Sequence, residues 1–151
     1  MKLIRYADDF VVLVHGDRAD AETLWAETAA VLETMGLRLS VENTRLTNID
    51  EGFDFLGWHI QRRQIRGRRA GTTAIYTYPS KKSLASIMDK VRTLTRRASH
   101  RTLADLLRRL NPVLRVWCTY FQHGVSKRLF SYFDHFAFWR IVGRLKKRHP
   151  D

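Results

Sequence analysis

Lys2-Leu3-Ile4-Arg5-Tyr6-Ala7-Asp8-Asp9-Phe10-Val11-Val12-Leu13-Val14-His15 places two carboxylates between two β-prone runs, Lys2 to Tyr6 and Phe10 to His15. Branched and aromatic residues favour pleated strands, and an Asp-Asp pair favours a turn. The stretch reads as a short hairpin with Asp8 and Asp9 at its tip. A helix follows from about Arg18 to Met35. Ala21, Leu24, Trp25, Val31, Leu32 and Met35 recur on it at helical spacing, with Thr28 the one polar interruption and Gly36 placed to cap it. Leu37 to Ile49 reads as extended, with Glu42-Asn43-Thr44 inside it. Gly52 to Arg63 reads as one strand, apolar on both faces through Phe53, Phe55, Leu56, Trp58 and Ile60. An arginine- and glycine-rich turn, Arg66 to Gly71, then leads to a partner strand, Thr72 to Tyr78.

Beyond Pro79, Ser80 is placed to cap a helix, and the pattern stays helical. Leu84, Ile87, Val91 and Leu94 form one stripe; Leu103, Leu106, Leu107 and Leu110 form the next. Pro112 permits a fresh start or a kink, Val113 to His123 continues, and Ser126 to Lys147 makes a third helix. The expected class is α+β: a small α/β head over residues 1–60, a basic β-hairpin joint over 61–79, and a three-helix tail over 80–151.

Charge separates head from tail. Residues 1–58 hold 5 basic and 11 acidic side chains, whereas 59–151 hold 22 basic and 4 acidic. A +18 surplus in the tail exceeds what a solvated surface needs and points to a polyanion, nucleic acid first. Arginine suits folded RNA because it pairs with two phosphate oxygens and stacks on bases. The candidate RNA contacts are Arg62, Arg63, Arg66, Arg68, Arg69, Lys81, Lys82, Arg108, Arg109, Arg115, Lys127 and Arg128. Nine of the 17 aromatics lie between Trp117 and Trp139. Helical spacing assigns most of them to the core, with Tyr120 and Trp139 as the exceptions whose polar edges tolerate a wet boundary.

No apolar run approaches the ~18 residues of a membrane span. The early charges do not fit a signal peptide, and the single cysteine, Cys118, fits a reducing compartment, so the expected location is the cytoplasm. Cys118 and His123 are five apart, which puts them on different faces of a helix, and no second pair completes a zinc set. No Ser-His-Asp or Cys-His constellation and no glycine-rich phosphate loop stands out. Carboxylates on a hairpin tip suit two-metal nucleotidyl transfer, because paired strands hold the backbone while the acids meet Mg²⁺.

Tyr6-Ala7-Asp8-Asp9-Phe10 resembles the catalytic hairpin of reverse transcriptases. Gly36-Leu37-Arg38-Leu39-Ser40-Val41-Glu42-Asn43-Thr44 and Gly52-Phe53-Asp54-Phe55-Leu56-Gly57 resemble palm segments of the group II intron reverse transcriptases. The tail resembles that family's maturase-specific region in Pro79-Ser80-Lys81-Lys82-Ser83, Leu110-Asn111-Pro112-Val113-Leu114-Arg115-Val116-Trp117, Tyr120-Phe121 and Val125-Ser126-Lys127-Arg128. These motifs stand in the family's order along essentially the whole chain.

The resemblance implies the end of a polymerase palm followed by a helical thumb that is also the maturase domain. It implies RNA-directed DNA synthesis and help with intron splicing, with group II intron RNA and primer–template as partners and no membrane. By the same resemblance Asp8 is the metal-ligand carboxylate for Mg²⁺ and Asp9 its catalytic partner. Tyr6, Asn43, Phe55 and Gly57 would lie near the primer and nucleotide. Two departures bear on activity. Asn43 stands where the family has lysine, which removes a charge from the region that handles the leaving pyrophosphate. The fingers and the other palm aspartate precede the hairpin in the family, and only five residues precede Tyr6 here. The chain is therefore expected to bind RNA, to lack polymerase activity alone, and to need an upstream polymerase half for chemistry. The competing readings are a stand-alone RNA-binding splicing cofactor and a remnant without function.

Overall fold

The computed structural model describes residues 1–65, 71–96 and 102–148. It is a mixed α and β chain that divides into two compact units, residues 1–48 and 49–151.

In the first unit, β1 (Lys2–Tyr6) pairs antiparallel with β2 (Asp9–Leu13), Tyr6 opposite Asp9. The connection is the two residues Ala7 and Asp8, and Ala7 adopts φ 50° to close it. Helix α1 (Arg18–Thr34) begins with a reciprocal cap. The Asp17 side chain accepts from the Asp20 amide, and the Asp20 side chain accepts from the Asp17 amide, both at 3.0 Å. Gly36, at φ 72°, ends the helix. Its amide donates to the Glu33 carbonyl and that of Leu37 to Leu32, which satisfies two terminal carbonyls.

No residue of this unit is buried. Ala21, Leu24, Trp25, Thr28 and Leu32 share the half-buried face of α1, whereas Val31 and Met35 are each 60% exposed and leave the expected stripe.

The extended reading of Leu37 to Ile49 is not what the chain adopts. The Ser40 carbonyl accepts from the amides of Asn43 (3.2 Å) and Thr44 (2.8 Å), making a local turn. Among the described residues β1 and β2 form a two-stranded sheet with no third strand beside them, so this backbone closes its hydrogen bonds locally.

The second unit opens with a three-stranded antiparallel sheet in the order β3 (Phe53–Phe55), β4 (Trp58–Gln64), β5 (Thr73–Pro79). Gly52 to Arg63, expected as one strand, is a hairpin. Leu56 (φ 49°) and Gly57 (φ 81°) are consecutive left-handed residues, the pattern of a type I′ turn, and bring Phe55 opposite Trp58. The 60/61 boundary drawn from the sequence falls inside β4, and the division between units lies at 48/49.

Three helices follow: α2 (Lys81–Arg96), α3 (Leu103–Phe121) and α4 (Lys127–Arg148). Ser80 caps α2, accepting the Ser83 amide at 3.1 Å, and Thr102 caps α3, accepting that of Asp105 at 3.1 Å. α3 runs through Pro112 without a restart. Proline removes one ladder bond, and Leu110 and Val113 on either side of it stay packed in the core.

Ile87, Val91, Leu110 and Phe133 form the buried centre, surrounded by Leu84, Leu94, Trp117, Phe136 and Ile141. The α2 stripe and Leu110 of the α3 stripe thus meet Phe133 of α4, whereas Leu103, expected in that stripe, is 40% exposed. The sheet is fastened to the corner between α3 and α4. The Trp58 ring lies 4.7 Å from that of Phe121 and 5.8 Å from that of Tyr120, centroid to centroid, and the Tyr120 hydroxyl donates to the Leu56 carbonyl at 2.8 Å. The corner needs a glycine: a Cβ on Gly124 would stand 2.3 Å from the Trp58 ring and 2.6 Å from the Thr77 carbonyl.

Candidate nucleic-acid interface

The cations named from the sequence fall into two groups. Some are held by the fold. Arg62 donates through Nε and Nη2 to both carboxylate oxygens of Asp50, at 2.6 and 2.7 Å. With the Arg62 amide bonded to the Ile49 carbonyl at 2.9 Å and Gln61 bonded to the Asp50 carbonyl, it straps residues 49–50 to β4. The shared hydrogen bond holds the Asp50 carboxyl below its ordinary value and raises the Arg62 guanidinium. Arg63 donates to Gln61 and to the Tyr78 hydroxyl and lies 5.5 Å from the Tyr78 ring centroid. These two arginines serve the sheet first.

The others stand open on the helices. Lys81 and Lys82 are exposed in the first turn of α2, and Lys127 and Arg128 in the first turn of α4; neither turn contains an acid. Both helix starts are tied to neighbouring parts of the sheet. The Ser80 amide donates to the Gly57 carbonyl at 2.8 Å, and the Val125 amide to the Thr77 carbonyl at 2.7 Å. Unpaired amides give a helix start a partial positive charge, so lysine and arginine there add to it rather than offset it. Such an arrangement costs some helix stability and attracts anions.

On α3, Arg108, Arg109 and Arg115 are exposed. Arg108 makes a long, 3.8 Å contact with Asp105, and Arg115 borders a shallow hollow with Val116, Thr119 and Tyr120. Arg108 and Arg115 are two turns apart, about 10 Å along the axis. Arg66, Arg68 and Arg69 lie outside the described residues.

The palm-like residues are placed as follows. Asp8 sits in the hairpin turn and Asp9 begins β2, both exposed, beside Tyr6 at 66% exposure. Asn43 is exposed in its local turn; Phe55 and Gly57 are half-buried at the tip of the β3–β4 hairpin. Gly57 acts there as an anchor, its carbonyl receiving both the Ser80 amide and the Ser83 hydroxyl.

Mg²⁺ takes six oxygens in strict geometry. Among the described residues no three His, Cys, Asp or Glu side chains converge. Among those residues, too, no helix is long and apolar enough to cross a membrane.

Tyr120 and Trp139, singled out from the sequence, are indeed half exposed, at 49% and 54%. Tyr132 and Phe138 were missed, at 54% and 57%. Their signal was present in part: Tyr132-Phe133 and Phe138-Trp139 are adjacent pairs, and neighbours on a helix point about 100° apart, so a run of such pairs spreads rings beyond one face.

A family profile described as group II intron, maturase-specific domain, matches residues 84–151. Protein YkfC of Escherichia coli (strain K12) is 37% identical over 95 residues, covering 58% of this chain and 24% of its own length. The group II intron-encoded protein LtrA of Lactococcus lactis subsp. cremoris is 33% identical over 73 residues, 48% of this chain and 11% of its own length. The chain therefore spans a quarter or less of these relatives. Residues 84–151, the helices that carry most of the open cations, thus match the profile of a group II intron maturase-specific domain, and the chain is similar in part to a group II intron-encoded protein.

Proposed function

We propose that this chain binds group II intron RNA through its helical unit and supports the folding of that RNA for splicing. The observation that carries the reading is the set of open cations at the starts of α2 and α4 and along α3, most of them within residues 84–151, which match a maturase-specific domain. Phosphate contacts supply affinity and orientation, and they release counterions, so binding should fall steeply as salt rises.

We propose further that RNA-directed DNA synthesis is not performed by this chain alone. Asp8 and Asp9 would join a Mg²⁺ site for primer–template chemistry only with carboxylates from a polymerase half outside this sequence.

The binding test is titration of a group II intron RNA and an unrelated RNA of equal length, each across a salt series. Tighter binding of the intron RNA with a steep salt slope is expected. Arg115→Ala should lower that slope by about one unit, and Arg62→Ala should change it less, because Arg62 is engaged by Asp50. Salt-insensitive binding, or equal affinity for both RNAs, would count against the reading. The second statement is tested by primer extension on an RNA template with Mg²⁺ or Mn²⁺; extension that Asp8→Asn abolishes would overturn it.

A further inference from the structure

Helix α4 is apolar on two sides. Phe133 packs in the core with Val91 of α2 and Leu110 of α3, and Ala137 one turn on is buried too, yet Tyr132, Phe138 and Trp139 lie away from that side at more than half exposure, with His135 exposed among them. A helix that is apolar all round ordinarily has both sides covered, and an exposed aromatic patch of this kind marks an interaction surface.

Its surroundings state the chemistry of the partner. Tyr132, His135 and Trp139 follow at i, i+3 and i+7, a straight row about 10 Å long. Arg128 extends the row by one turn before Tyr132 and Lys146 by two turns after Trp139, and both are exposed. The only acid of α4, Asp134, is not in this row, and its charge acts on Cys118 of α3.

The rings are set edge to face. His135 and Trp139 lie 6.0 Å apart at 67°, and Phe138 and Trp139 lie 5.6 Å apart at 82°. Neither neighbour therefore stacks on the flat of the Trp139 indole. A row of rings without a stacked neighbour, between two cations and without an acid, complements a chain of flat bases joined by phosphates. Stacked bases rise ~3.4 Å each, so the row matches two or three of them.

We propose that this face of α4 is a stacking platform for unpaired bases of RNA, with Trp139 and Tyr132 carrying the bases and Arg128 and Lys146 holding the flanking phosphates. The inference rests on the RNA-binding reading above and adds to it a preference for single strands.

The test uses the 151-residue chain with a short oligoadenylate and a blunt RNA duplex of the same length. Trp139→Ala and Tyr132→Ala should each weaken oligoadenylate binding about tenfold, with the salt slope and duplex affinity unchanged. Trp139→Phe, which keeps a π face, should restore most of the loss. Equal affinities of wild type and Trp139→Ala for oligoadenylate would overturn the proposal, as would equal losses on both RNAs. A wild-type dimer that Trp139→Ala renders monomeric at unchanged RNA affinity would also overturn it, identifying the face as a contact between copies. If the wild type bound neither RNA, the broader RNA-binding reading would fall too, so the two failures are distinguishable.

Discussion

The Ser83 hydroxyl donates to the Gly57 carbonyl at 2.9 Å, joining the tip of the β3–β4 hairpin to the first turn of α2 across 26 positions of sequence. A Cβ on Gly57 would stand 2.7 Å from that same hydroxyl oxygen, and φ there is 81°. Gly57→Ala therefore meets two penalties, a left-handed backbone and a displaced Ser83. It should cost about 2–3 kcal/mol, read as a lower urea midpoint at constant slope. Gly71→Ala, at φ 92° with nothing within 4 Å, should cost only the backbone share, about 1–2 kcal/mol. Equal midpoints for the two variants would show that the Gly57–Ser83 contact contributes nothing.

Arginines on α4 close the end of α2. Arg144 Nη1 donates to the Thr95 carbonyl at 2.8 Å, and Arg140 reaches the buried Thr95 hydroxyl through two nitrogens at 3.3 Å. Cations at a helix C-terminus stabilise its unpaired carbonyls. Arg144→Ala should destabilise the helical unit by about 1–2 kcal/mol while altering RNA affinity less than Arg115→Ala. An unchanged urea midpoint would remove Arg144 from the packing account.

The strap between Asp50 and Arg62 predicts an acid-side effect. The Arg62 hydrogen bond depresses the Asp50 carboxyl below 3.8, so its stabilisation is complete above that value and is lost as pH falls through the lower folded-state value. Asp50 is 55% exposed, so the effect should be small and shrink with added salt. Thermal melts of Asp50→Asn and wild type should differ at neutral pH and converge in strong acid. A gap that stayed constant with pH would refute the linkage.

Burial, with a smaller contribution from the Asp134 carboxylate, raises the Cys118 thiol above its ordinary value of 9.0. Less thiolate at neutral pH means slower alkylation than an unfolded-chain thiol shows. Iodoacetamide labelling should climb with pH and level off only beyond 9.0, and Asp134→Asn should shift that plateau slightly lower. Neutral-pH labelling as fast as in denaturant would contradict it.

Much of this was legible in the chain because it depends on neighbours in sequence. The hairpin around Asp8 and Asp9, the caps at Ser80 and Gly36, the β4–β5 pairing and the stripes of α2 and α3 follow from turn chemistry and periodicity. The charge split follows from counting. Three features came only with the tertiary structure. Leu56 and Gly57 turn back because the β3–β4 pair docks its Trp58 on Phe121, a preference no window of a dozen residues contains. Arg62 and Arg115 look alike as letters, yet one lies beside Asp50 and the other has no such neighbour among the described residues, so tertiary partners decide which cation is open to phosphate. The aromatics of α4 divide between core and surface because the helix has one packed side, and which side that is depends on where α2 and α3 lie. Periodicity can say that a helix has two faces; only the arrangement of the other helices says which one meets water.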